Sequence, residues 1–146
     1  MSKETTNQKA KPNICDLRVY ALARQLEDGG ITIATGLPES ETYGLANDLR
    51  RSVSAVAQSI YEAHHRYSVT IKIDRLHAAI AEAEQTKKLL ASYATAGYGP
   101  VEALEEQATG VIKQCWGLIK FFKSRLNEFQ AKANAKASDE LVSARA

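Results

Sequence analysis

Glu62-x-x-His65 and Asp74-x-x-His77 each set a carboxylate and an imidazole three positions apart. On a helix that spacing puts both groups on one side. Paired motifs of this kind, with two more inward carboxylates, hold the metals of di-iron bundles. The neighbours speak against it here. Ile60 and Ala63 take the inward positions beside Glu62, so Glu62 and His65 lean off the apolar seam. Glu27 and Glu105, on other helices, flank polar neighbours rather than an apolar stripe. Surface side chains near a helix–helix turn are the expectation. A metal-carrying, ferritin-like bundle using Glu62, His65, Asp74 and His77 is the alternative. Adjacent imidazoles at His64 and His65 bind stray transition metals in many proteins, which marks no function. No cofactor or metal is expected.

Nucleophilic chemistry fares no better. Cys115 lies among Ile112, Trp116 and Ile119 with no basic neighbour to stabilise a thiolate. Cys15 is a hundred positions away, and both cysteines read as buried free thiols. Gly97-Tyr98-Gly99-Pro100 lacks the Lys-Ser/Thr of a phosphate loop. No catalytic residue is assigned, and the chain is expected not to be an enzyme.

The cations have two readings. Arg50 and Arg51 either pair with a carboxylate such as Asp48 or Glu41, or contact phosphate together with Arg66 and Lys72. Lys113 and Lys120 are a heptad apart and share a helix face, with Lys123 and Arg125 close by. That stripe is either a solvated face or a basic patch. On the phosphate reading, replacing Arg50 and Arg51 with Ala abolishes nucleic-acid binding without disturbing the fold. Net charge is only +2 over 146 residues. Residues 1–13 hold three Lys against one Glu, residues 14–130 hold 13 Lys and Arg against 14 Asp and Glu, and residues 131–146 hold three against two. A near-neutral core is weak support for a dedicated nucleic-acid binder.

These side chains must be carried by helices. The length suits one domain, and 45% apolar with 25% charged residues fits a globular chain. No stretch reaches the 18 or so apolar residues of a membrane span, and the polar N-terminus has no signal-peptide run. A cytoplasmic protein with no membrane partner is expected. Residues 1–13 read as a disordered lead and 14–130 as the folded unit. Leu17, Tyr20, Ala23, Leu26 and Ile33 mark a first helix from about Cys15 to Thr35. Gly29 and Gly30 within it signal either a local break or a close backbone approach. Pro38, Glu39 and Glu41 suit the first turn of a second helix that runs to His65. Its stripe is Leu45, Leu49, Val53, Val56, Ile60 and Ala63, the period of a left-handed bundle seam. Ser68 or Thr70 caps a third helix, striped by Val69, Ile73, Leu76, Ile80, Ala83, Leu90 and Tyr93. After the Gly97–Pro100 breaker, Val101, Leu104, Ala108, Val111, Cys115, Leu118, Phe122 and Phe129 stripe a fourth. Residues 131–146 have helix propensity but little to bury, and are expected to fray. The sum is an all-α, antiparallel up-down-up-down four-helix bundle.

Helix four is apolar beyond one stripe. Ile112, Trp116 and Phe121 exceed what a single buried face needs, and aromatic anchors are favoured at subunit interfaces. A wide face in a thick core is the other account. Gly117 beside Trp116 permits close approach of another helix either way.

The run from Asp16 to Arg66 resembles the four-helix-bundle family of 23S rRNA intervening-sequence proteins, also called S23 ribosomal protein-like. The matching residues are Asp16-Leu17, Val19-Tyr20, Ala23, Leu26, Leu37-Pro38, Glu41, Tyr43-Gly44-Leu45, Leu49-Arg50-Arg51, Ile60, Glu62 and Arg66, with Gly117-Leu118-Ile119 in helix four. Ser59-Ile60-Tyr61-Glu62-Ala63 stands where the family usually has Asn-Ile-Ala-Glu-Gly. The resemblance implies an antiparallel bundle, a homopentameric ring and no enzymatic activity. Distant relatives, the accessory variability determinants of diversity-generating retroelements, imply RNA or DNA as a partner. The expected function is a homo-oligomeric scaffold or interaction module with weak nucleic-acid binding; a protein-partner adaptor without a nucleic-acid role is the other reading.

Overall fold

The computed structural model describes residues 17–145, with side chains through Val142. The expectations for residues 1–16, Cys15 included, lie outside them. Four helices follow in order: α1 (Arg18–Thr35), α2 (Leu45–His65), α3 (Val69–Thr95) and α4 (Glu102–Arg145). Each packs on its two neighbours, with α1 closing the square against α4. This is the expected up-down-up-down bundle, and the described residues contain no strand.

The core is layered along the bundle. At one end Val19, Ala23, Val56, Ile60, Leu76, Ile80, Val111, Cys115 and Ile119 pack together. Leu26, Val53 and Ala108 form the middle. Ala34, Ala46, Leu49, Leu90, Tyr93 and Val101 fill the other end. The α2 and α3 stripes fall where their periodicity placed them, with Leu45 and Val69 half-buried at the ends. The α1 stripe does so only at Ala23 and Leu26, with Leu17, Tyr20 and Ile33 half-buried. Val19, Ala23, Leu26, Gly30 and Ala34 are buried, while Tyr20 and Ile33 flank them. Ala23, Gly30 and Ala34 on the buried face let α1 lie close to its partners, with Val19 and Leu26 between them.

That closeness settles the two glycines. Helix α1 runs through them without a break. A methyl added at Gly30 would stand 2.7 Å from Val53 Cγ1, and one at Gly29 would collide with Leu104 Cδ2. Residues without side chains are needed there for packing.

The start of α2 departs from expectation. Pro38 precedes a separate single 3₁₀ turn over Glu39–Glu41, and α2 begins only at Leu45. Gly44, at φ −113° and ψ −108°, leaves helical geometry between them. Glu41 therefore does not serve the α2 dipole. Its Oε2 accepts a 2.7 Å hydrogen bond from the Tyr98 hydroxyl, tying this turn to the α3–α4 connection. That bond, more than burial, raises the Tyr98 phenol above its ordinary pKa. The connection itself needs Gly97 and Gly99, at φ 84° and 153°, where side chains are strained.

Ser68 caps α3 by accepting from the Ile71 N–H at 3.3 Å. Inside the α2–α3 interface, Ser52 and Thr86 are fully buried with their hydroxyl oxygens 2.7 Å apart, and both bond the Glu82 carbonyl. This polar pin fixes one register between the two helices.

Helix α4 also differs from its expected stripe. Ile119, 2% exposed, is the buried residue beyond Cys115, while Leu118 and Phe122 are half-buried. Phe129 is 74% exposed. The helix continues to Arg145, past the residue where fraying was expected to begin. Packing nonetheless stops near Leu126, since every side chain from Asn127 to Val142 is exposed. Among the described residues, α1, α2 and α3 do not extend past that level to lie against α4.

Candidate functional site

The two carboxylate–imidazole pairs do not converge. Glu62 faces the Arg75 guanidinium at 3.4 Å and accepts from Gln58. His65 Nδ1 is 2.9 Å from the Tyr61 carbonyl. His77 stands edge-on to Trp116, with ring centres 5.3 Å apart. Asp74 is exposed. Among the described residues no three His, Cys, Asp or Glu side chains gather as metal ligands. Burial pushes the Cys115 thiol up to about 12, which holds it protonated.

The eight candidate phosphate-binding cations do not form one group either. Arg50 and Arg51 stand near the α2 N-terminus, beside the layer that contains Leu49. Arg50 Nη2 donates to Thr35 Oγ1 at 3.3 Å rather than to Asp48 or Glu41. Arg66 and Lys72 lie at the opposite end, where α2 passes into α3. Lys72 Nζ donates to the carbonyls of Ala63 and His64, at 2.9 and 3.1 Å. Those are terminal carbonyls of α2, so this ammonium caps the negative end of a helix. Lys120, Lys123 and Arg125 are exposed on α4 at the same end. Lys113 is set apart, in a groove with Lys87, Glu102, Glu105 and Glu106.

Sorting charge by core layer reveals a division that the overall balance hides. The end built on Ala23, Ile60, Leu76 and Ile119 comprises residues 17–24, 55–83 and 111–132. It carries ten Lys and Arg against four Asp and Glu, a net +6, with Lys113 counted at its border beside the acidic groove. Residues 25–54 and 84–110, the rest of the bundle, carry four against nine, a net −5. The near-neutral core is a strongly polarised one.

The cationic end also holds all three histidines and most exposed rings. Tyr20 of α1 faces Tyr61 of α2 with ring centres 6.4 Å apart, and Tyr61 faces His65 at 4.2 Å. His64 stands edge-on to His65 at 4.9 Å. The Arg24 guanidinium is held above its ordinary pKa by a hydrogen bond with Tyr20 and then by Glu27. This ladder crosses from one helix to the next, a pairing no local motif in the sequence signals.

On α4 the three proposed interface residues do not share a face. Five positions at 100° each place Trp116 and Phe121 about 140° apart around the helix. Trp116, 49% exposed, borders a groove with Lys120 and Lys123, with His77 of α3 against its ring. Ile112 is half-buried one turn before it. Phe121, 52% exposed, lines the other flank, in a cavity of about 530 Å³ shared with Leu17 and Val19 of α1. Arg125 lies 5.7 Å from the centre of the Phe121 ring. A methyl added at Gly117 would meet nothing within 4 Å. The surplus apolar surface is two patches on opposite sides of the helix. Among the described residues no helix is long and apolar enough to cross a membrane.

Comparison with known proteins agrees with this architecture. The family model described as 23S rRNA-intervening sequence protein matches residues 15–119, more than half of the chain. A crystal structure of a protein of unknown function from the S23 ribosomal protein family, from Bacteroides thetaiotaomicron, superposes with a TM-score of 0.65 at 20% identity. The match covers 70% of this chain and 95% of that one, and at this identity it bears on the fold. No curated protein matches the sequence.

Proposed function

We propose, from the premise that the chain belongs to the 23S rRNA-intervening sequence protein family, that it is a non-enzymatic interaction protein which assembles into a homo-oligomeric ring and binds nucleic acid through its cationic end. The observation that carries this is the charge division, ten cations against four acids at one end and four against nine at the other. Nucleic acid meets a concentrated positive surface, and the acidic end is held away from it.

The two flanks of α4 suit a ring. A two-fold dimer uses one patch twice, whereas a cyclic assembly joins one patch of each subunit to a different patch of the next. Trp116 on one flank and Phe121 on the other supply two such patches. With bundle axes along the ring axis, every cationic end faces the same side. The fields then add, so a +6 end on each protomer becomes a large charged face. The phosphate-binding group in this reading is Arg66, Lys120, Lys123 and Arg125. Arg50 and Arg51 drop out because they sit at the acidic end, and Lys72 because its ammonium already caps α2.

Light scattering after size exclusion tests the assembly. A mass that is a multiple of 16.0 kDa, near five-fold, is expected, together with a shift on adding structured RNA that disappears as salt is raised. A monomer indifferent to RNA refutes both parts.

A further inference from the structure

We infer that the Tyr20–Tyr61–His65 ladder is a stacking platform for unpaired bases, so that the nucleic acid bound at the cationic end is single-stranded. This rests on the nucleic-acid reading above and adds the class of strand.

Three observations lead there. First, the rings are contiguous across two helices, with centres 6.4 and 4.2 Å apart, and they are accessible: Tyr61 is 42% exposed and His65 is exposed. Second, cations bracket the row. Exposed Arg24 stands one helical turn after Tyr20, and exposed Arg66 follows His65 at the other end. Third, the nearby carboxylates are already engaged. Glu62 faces Arg75, and Glu27 faces Arg24, each at 3.4 Å. A row of π-faces between two guanidinium groups matches a strand whose bases alternate with phosphates, and such stacking tolerates any sequence. A duplex hides its base faces inside the stack. It could use the cations but not the rings, and its binding would be phosphate contact alone.

The test is fluorescence anisotropy with an unstructured 20-nucleotide RNA and an RNA duplex of equal length, on the full chain and on Tyr61→Ala and Tyr61→Phe variants. Wild-type protein is expected to bind the single strand more tightly. Tyr61→Ala should weaken that binding by roughly tenfold or more while leaving duplex affinity within about twofold. Tyr61→Phe, which keeps the π-face and loses the hydroxyl, should restore it. Because Tyr61 is on the surface, circular dichroism and light scattering should show an unchanged bundle and mass. Equal loss for both strands, no loss, or a Tyr61→Ala protein that falls apart overturns the ladder. Salt-sensitive binding that survives in those cases leaves the charge-based reading intact. A wild-type protein that binds neither strand overturns both.

Discussion

Replacing Gly30 with Ala tests how closely α1 and α2 pack. In an isolated helix the change would stabilise by about 0.5–1 kcal/mol, because Ala loses less backbone freedom on folding. Here the new methyl would stand 2.7 Å from Val53 Cγ1 and 3.2 Å from Cγ2. Val53 is fully buried in the middle layer between Leu26 and Ala108, so any shift it makes disturbs packed neighbours. Overpacking of this kind costs about 1–3 kcal/mol. The balance is a net loss of about 1–2 kcal/mol, roughly a 1 M fall in the urea midpoint at an m-value of about 1.5 kcal/mol/M. Val53→Ala alone also destabilises, by leaving a cavity. In the double variant the Gly30→Ala methyl fills part of that cavity, so the two losses should fall short of additivity by about 1 kcal/mol. All four proteins are unfolded in urea at one protomer concentration and followed by circular dichroism. If Gly30→Ala proves more stable than the parent, or the cycle is additive, the close approach is wrong and Gly30 is only a tolerated weak point.

Four further outcomes are expected. Lys72→Met removes an ammonium from the last carbonyls of α2 and should lower stability by about 1–2 kcal/mol in the same urea assay; an unchanged midpoint would mean that the α2 end is capped by something else. In a Cys15→Ala background, Cys115 should resist thiol reagents at pH 8 until the protein unfolds, since burial raises its pKa to about 12. The raised pKa also sets a sign: the contribution is complete below the thiol's ordinary 9.0 and is lost as pH climbs toward 12, so stability should fall over that window. Trp116→Glu and Phe121→Glu should each break the ring, yet mixing the two should give a heterodimer, because each variant keeps the flank the other lacks. A mixture that stays monomeric by light scattering would argue against head-to-tail assembly.

The bundle is legible from periodicity because α2 and α3 bury one stripe of large residues each, and Gly97 and Gly99 mark the α3–α4 turn plainly. The errors have physical causes. On α1 side-chain size points to Tyr20 and Ile33 as buried, whereas close helix approach buries Gly30 and Ala34 instead. Pro38 and Glu41 suit the start of α2, but Gly44 leaves helical geometry and the Tyr98 hydroxyl claims the Glu41 carboxylate from 57 residues away. Trp116 and Phe121 are near in sequence yet lie on opposite flanks of α4. The candidate site was the least legible part. A total charge averages over space, so 13 cations and 14 acids across residues 14–130 looked neutral. Only antiparallel folding sends the acids of 25–54 and 84–110 to one end. The ring row from Tyr20 to His65 likewise exists only once α1 lies against α2.

The central claim is that the location of charge, rather than its amount, makes this protein bind nucleic acid. Two variants carry equal total charge and differ only in place: Arg66→Glu, Lys120→Glu and Lys123→Glu at one end, and Arg50→Glu, Arg51→Glu and Lys88→Glu at the other. RNA affinity is measured against salt for both, with mass checked in parallel. The first variant should lose binding and the second should keep both the affinity and the salt slope of the parent. Equal loss in the two, or loss only in the second, would contradict the account.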